Sequence, residues 1–169
     1  MLFWLTLSFL ISQILAAIAI ISDIFSFQFK ERKKIIIFFM ISSFCIGLHY
    51  FFLERYVPAM IAIPAVVRFF VSYHSHNKYW IFVFTPIFIA ITYFFYADNW
   101  DLLVLLASTL ATISTFQKSD QFLRLFMMMA TCCFILYNFI VFSPVWVLLE
   151  SIFLSSNLIW YYRHYIRKK

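Results

Sequence analysis

Lys30-Glu31-Arg32-Lys33-Lys34 sets four cations into five positions of a chain that is otherwise almost continuously apolar. On either side of it lie hydrophobic runs with almost no charge, Leu2–Ser22 upstream and the stretch to Leu53 downstream. Hydrophobic residues make up 65% of the sequence, aromatics 23%, and mean hydropathy is +0.94. That composition excludes a water-soluble domain. In a bilayer every backbone polar group needs an internal partner, so only helices or closed barrels can span it. Runs of about 18–23 residues suit helices and are roughly twice what a barrel strand needs.

The runs number seven: Leu2–Ser22, Lys34–Leu53, Tyr56–Tyr73, Lys78–Tyr96, Trp100–Phe116, Phe122–Phe142 and Pro144–Tyr162. Connectors this short make successive helices antiparallel, and residues 1–169 read as one transmembrane domain. Seven spans put the loops after the first, third and fifth helices on the same side as the C-terminus. Those segments carry eleven of the 13 Lys and Arg residues, while the other side holds Arg55 with Glu54, Asp98 and Asp101. The positive-inside rule then predicts an outer N-terminus and a cytoplasmic C-terminus. Trp4, Tyr56, Tyr96, Trp100 and Trp146 fall near the outer ends, and Tyr79, Trp80, Trp160, Tyr161 and Tyr162 near the inner ends, as interfacial belts do.

In this frame the +6 net charge reads as topology and contact with anionic lipid at the cytoplasmic face, not as nucleic-acid binding. A chain whose only glycine is Gly47 has no Gly-rich phosphate loop. The N-terminus lacks a charged n-region, so a cleaved signal peptide is not expected. Cys45, Cys132 and Cys133 lie inside expected helices without metal-ligand spacing and read as packing residues. No nucleophile triad, HExxH pattern or catalytic carboxylate pair appears, so the expectation is a non-enzyme with no cofactor and no metal.

Seven helices can be three plus one plus three, two parallel repeats joined by a linker. The expected division is a three-helix repeat over 1–73, a linker helix over 78–96 and a second repeat over 100–165. A shift of 89 residues sets Ser26-Phe27-Gln28 on Thr115-Phe116-Gln117, His49 on Asn138, Arg68 on Asn157 and Tyr73 on Tyr162. With this plan, the S-F-Q-x-K-x-R-K signal after the first helix and its T-F-Q echo after the fifth, the chain resembles the bacterial inner-membrane YgjV family. That family is grouped with the SWEET and PQ-loop transporters, which implies an all-α, multi-pass inner-membrane protein. The proline of the PQ motif is replaced by Phe27 and Phe116.

Charges within a bilayer cost about 2.5–3.5 kcal/mol each on insertion scales and so mark candidate sites. Arg68 is expected about five residues from the inner end of the third helix. It either snorkels to headgroups or offers a bidentate donor to a polar or anionic solute. Glu150 and Asn157 share a face of the seventh helix and would flank Arg68 in depth, as a shared ligand site or a helix-joining pair. His49 and Asn138 are expected near the outer ends of the second and sixth helices; His49 is either a satisfied interfacial residue or a proton-coupled group. Asp23 reads as a solvated acid beside the basic cluster. Pro64, one turn before Arg68, is the hinge candidate. Small residues at four-residue spacing, Ser12 and Ala16, and Ala107, Ala111 and Thr115, read as helix-packing stripes. The expected function is a small transporter or facilitator for a polar or anionic metabolite, by alternating access between the repeats. The alternative is a non-transporting structural or accessory protein. A homo-oligomer is compatible with either.

Overall fold

The computed structural model describes residues 2–28 and 32–167, with side chains at positions 2–6, 26–28, 32, 33, 35 and 120 left aside. Lys30, Lys168, Lys169, the Trp4 belt position and the Ser26-Phe27-Gln28 side chains lie outside the described set. The described residues are helices joined by short turns, with no strand among them: α1 (Leu2–Gln28), α2 (Arg32–Phe52), α3 (Tyr56–His74), α4 (Tyr79–Phe95), α5 (Asp101–Thr115), α6 (Asp120–Ile140) and α7 (Pro144–Tyr161). A wider helical turn, Tyr162–Ile166, extends α7. Four segments are long and apolar enough to cross a bilayer: Leu7–Phe25, Tyr56–His74, Gln121–Ile140 and Pro144–Ile166. Ile36–Phe52, Tyr79–Phe95 and Asp101–Thr115 are shorter apolar helices.

Helix α1 runs six residues beyond its expected end. Ser22 and Asp23 look like a stop signal, but the Ser22 hydroxyl donates to the Ile18 carbonyl at 3.0 Å and stays within the helix. Asp23 is half-buried, with its carboxyl in electrostatic reach of the Ser42 hydroxyl and the Cys45 thiol of α2. It is therefore an interhelical acid, not the solvated one its place beside the cations suggested.

Two compact units make up the chain, Met1–Ser75 with Ala90–Ala97, and His76–Ile89 with Asp98–Lys169. The expected linker α4 thus contributes to each. In the first unit α2 packs on both α1 and α3. Ser12 and Ala16 of α1 are fully buried, the role their spacing predicts, and so is Ala19. Against α3 the contact tightens at Gly47, where a Cβ would sit 2.8 Å from the Cβ of Ala62. The single glycine of the chain marks this close approach. Phe39 against Phe69, with ring centroids 5.6 Å apart, extends the same seam.

In the second unit α6 packs on both α5 and α7. Ala107, Ser108, Ala111 and Thr112 of α5 are buried, and the Thr112 and Thr115 hydroxyls donate back to the Ser108 and Ala111 carbonyls at 2.7 Å. The Ser114 hydroxyl reaches across to the Leu123 carbonyl of α6 at 2.6 Å. Phe84 of α4 stacks on Phe116 at the end of α5, both buried.

The turns α2–α3 and α6–α7 share one backbone solution. Glu54 and Phe142 both take a left-handed conformation, with φ of 59° and 55°. Arg55 N–H donates to the Tyr50 carbonyl at 2.9 Å and Glu54 N–H to the Phe51 carbonyl at 3.1 Å; Ser143 to Asn138 at 3.0 Å and Phe142 to Phe139 at 3.4 Å repeat the pattern. Each is a Schellman-type close that satisfies the last carbonyls of the helix. The step between these turns is 88 residues, one less than the sequence shift of 89. At this step Tyr50, not His49, corresponds to Asn138, and Phe69, not Arg68, to Asn157.

Candidate functional site

The candidate residues occupy two levels within their units. Close to the α2–α3 turn, His49 is fully buried, and its Nδ1–H donates to the Ser12 carbonyl of α1 at 2.8 Å. A carbonyl can only accept, so this bond places a proton on Nδ1. Tyr50 meets the imidazole edge-on, with centroids 5.0 Å apart. In the second unit Asn138 is likewise fully buried beside the α6–α7 turn, its amide donating to the Phe134 carbonyl at 2.9 Å.

Arg68 lies six residues beyond Ala62, the α3 residue packed on Gly47, roughly 9 Å along the helix. The Arg68 side chain is 4% exposed, and its guanidinium lies 4.6 Å from the centre of the Phe69 ring. A guanidinium over an aromatic face is held by the ring quadrupole, an attraction that strengthens with desolvation. Pro64 sits inside a continuous α3. The carbonyl that Pro64 leaves without its helical donor is that of Met60, two turns before Arg68. It borders the Gly47 level and not, as its position suggested, the arginine.

Glu150 is half-buried on α7. Asn157, two turns further along α7, is buried and engaged by a residue read from sequence only as a topological cation: Arg124 donates from Nη1 to Asn157 Oδ1 at 2.9 Å. The same guanidinium lies 3.7 Å from the Trp160 ring centre, and His164 stacks on Trp160 with centroids 4.0 Å apart. Gln121 donates to the Tyr161 hydroxyl at 3.0 Å beside them. Hairpin arithmetic was the available signal for Arg124. A three-residue turn between antiparallel α6 and α7 sets residues near 124 opposite residues near 157.

Long apolar helices, buried side chains that hydrogen-bond back to their own carbonyls, and cations gathered at helix ends define a multi-pass helical membrane protein. A family model described as bacterial inner membrane protein, Imp-YgjV, matches residues 10–168. The chain belongs to that family and is a multi-pass protein of the bacterial inner membrane. No curated protein and no solved structure matches it.

Proposed function

We propose that the chain is a small inner-membrane transporter or facilitator for a polar or anionic metabolite, built as two three-helix repeats that open alternately. The likeness of the two turns carries this reading. Left-handed residues at 54 and 142, with the same hydrogen bonds around them, are what duplicated helical hairpins retain. The matching packing order, with α2 and α6 each central, supports it further. Such repeats are the basis of the kinship with SWEET-type carriers that the motifs suggest. In this reading all seven helices span, the N-terminus is outside and the C-terminus cytoplasmic, and α4 links the repeats.

The residues assigned to the solute are Arg68 and His49 in the first unit and Glu150, Asn157 and Asn138 in the second. Buried arginine and histidine are costly in a membrane protein and are kept where they bind or relay. The opposing reading, a structural or accessory protein, draws on the His49–Ser12 and Arg124–Asn157 bonds as interhelical ties. Counterflow of labelled organic acids, amino acids and sugars into proteoliposomes separates the two. Transport requires a solute whose counterflow falls at least tenfold in Arg68→Gln and Glu150→Gln while both variants stay folded. If no solute moves and the variants change only thermal stability, the accessory role stands.

A further inference from the structure

The seam between α1 and α2 holds an acid that its packing does not require. Asp23 lies two residues inside the apolar segment Leu7–Phe25, and a helical side chain leans toward the helix N-terminus, here into that segment. Its half-buried carboxyl reaches the level of Ser42 and Cys45 on α2. Ser42 stands six residues, roughly 9 Å, into the apolar helix Ile36–Phe52. Hydrocarbon disfavours an ionisable side chain at that depth, so its presence calls for a purpose beyond packing.

Ser42 differs from the other buried serines of the first unit. Ser12, Ser22 and Ser72 each donate to a carbonyl of their own helix, at 2.7, 3.0 and 2.9 Å. The Ser42 hydroxyl, 2% exposed, makes no such bond, and the Asp23 carboxyl approaches it without completing one. A hydroxyl withheld from its helix can serve a carboxyl in both states. It donates to the ionised form, which only accepts, and accepts from the O–H of the protonated form.

The second unit closes its own seam without the acid. At the 88-residue step between the turns, Asp23, Ser42 and Cys45 correspond to Ala111, Ala130 and Cys133. Both alanines are buried, where α5 packs on α6 as α1 packs on α2. The titratable groups that α2 carries are Cys45, in reach of the carboxyl, and His49, two turns from Ser42 and bonded to Ser12. Tyr50 stands edge-on to the His49 ring, and Lys34, in the first turn of α2, is exposed.

We propose that Asp23 and Ser42 form a proton-binding site in the α1–α2 seam, the proton entering and leaving the Asp23 carboxyl while Ser42 turns between donor and acceptor. A metal cation fits less well. Hard cations take a shell of oxygens, and among the described residues the seam offers one carboxyl and one hydroxyl beside a soft thiol. The site uses neither Arg68 nor the transport reading, so a chain that moves no solute still binds this proton.

The test is labelling of the full chain in liposomes with dicyclohexylcarbodiimide, an apolar reagent that adds to protonated carboxyl groups. Mass spectrometry of the peptide carrying Asp23 separates its label from any on Glu150, and Asp23→Asn gives the blank. Labelling is expected at Asp23, at a rate that falls about tenfold for each pH unit above its midpoint. Replacing potassium by sodium at fixed pH should leave that rate unchanged. Ser42→Ala places on α2 the residue that α6 carries at Ala130, so the helices should stay packed. It is expected to move the midpoint by about one pH unit, the worth of a hydrogen bond to a charged group. An unlabelled Asp23, a rate indifferent to pH, a midpoint that Ser42→Ala leaves in place, or protection by sodium would each overturn the proposal.

Discussion

The two units agree at their turns and part company at their far ends. Around Glu54 and Phe142 the backbones match bond for bond, although the sequences there, Leu-Glu-Arg and Val-Phe-Ser, share nothing. Away from the turns each unit sets an arginine against an aromatic ring, Arg68 buried and Arg124 half-buried, but from different helices. Arg68 comes from the third helix of its unit and lies over Phe69; Arg124 comes from the second helix of its own and lies over Trp160. Backbone geometry at a tight turn has few solutions, so it outlasts side-chain change. The cationic position is chemistry, and it differs between the two units.

Variants sharpen this contrast, the largest effect being expected at Gly47. Its Cβ would stand 2.8 Å from that of Ala62, a distance at which one helix must shift. Gly47→Leu is expected to cost about 3 kcal/mol, the upper range for overpacking, read as thermal unfolding in detergent. Gly47→Ala should be destabilising despite the better helix propensity of alanine, and adding Ala62→Gly should recover most of the loss. At the 88-residue step the second unit carries Ile135, a branched and half-buried side chain, so only the first unit depends on this approach. If Gly47→Leu is neutral, the α2–α3 contact is looser than described.

Next comes the Arg124 network. Arg124→Ala removes a charged hydrogen bond and a ring contact, together about 2 kcal/mol. Asn157→Leu should cost less alone, and the pair should show a coupling of about 1 kcal/mol in a double-mutant cycle. Additive losses would mean the 2.9 Å contact contributes nothing. Near the α2–α3 turn His49→Leu is expected to cost about 1 kcal/mol, since the Ser12 carbonyl keeps its own helical partner.

Much of the fold was legible because hydrophobic run length and charge placement act residue by residue. The expected and observed bounds of α3 and α7 differ by one residue at most. Helix α1 was cut short because a polar Ser22-Asp23 pair looks the same whether it ends a helix or faces a neighbour. The site was less legible for a related reason. Arg68 and Asn157 were noticed as polar residues in apolar surroundings, whereas Arg124 near a helix end passed for a topological charge. Depth along one helix can be read from a sequence; the partner across a hairpin needs the turn geometry. The 89-residue shift was set by rare polar residues, whereas the two turns are 88 residues apart, and only turn geometry reveals that step.

The smallest expected effect is also the most direct test of likeness between the turns. Glu54 and Phe142 hold positive φ without being glycine, which costs about 1 kcal/mol or more against a residue with no Cβ. Neither side chain gives much back through packing: Glu54 is exposed, and Phe142 is 87% exposed. Glu54→Gly and Phe142→Gly should therefore each stabilise the chain by roughly 0.5 kcal/mol, after the extra freedom of glycine in the unfolded state is subtracted. Because they lie in separate units, the gains should add. A β-branched substitute should do the opposite at both places, Glu54→Val and Phe142→Val each losing about 1 kcal/mol. A gain at one turn with a loss at the other would break the comparison, for two hairpins closed by the same left-handed residue cannot respond to glycine in opposite directions.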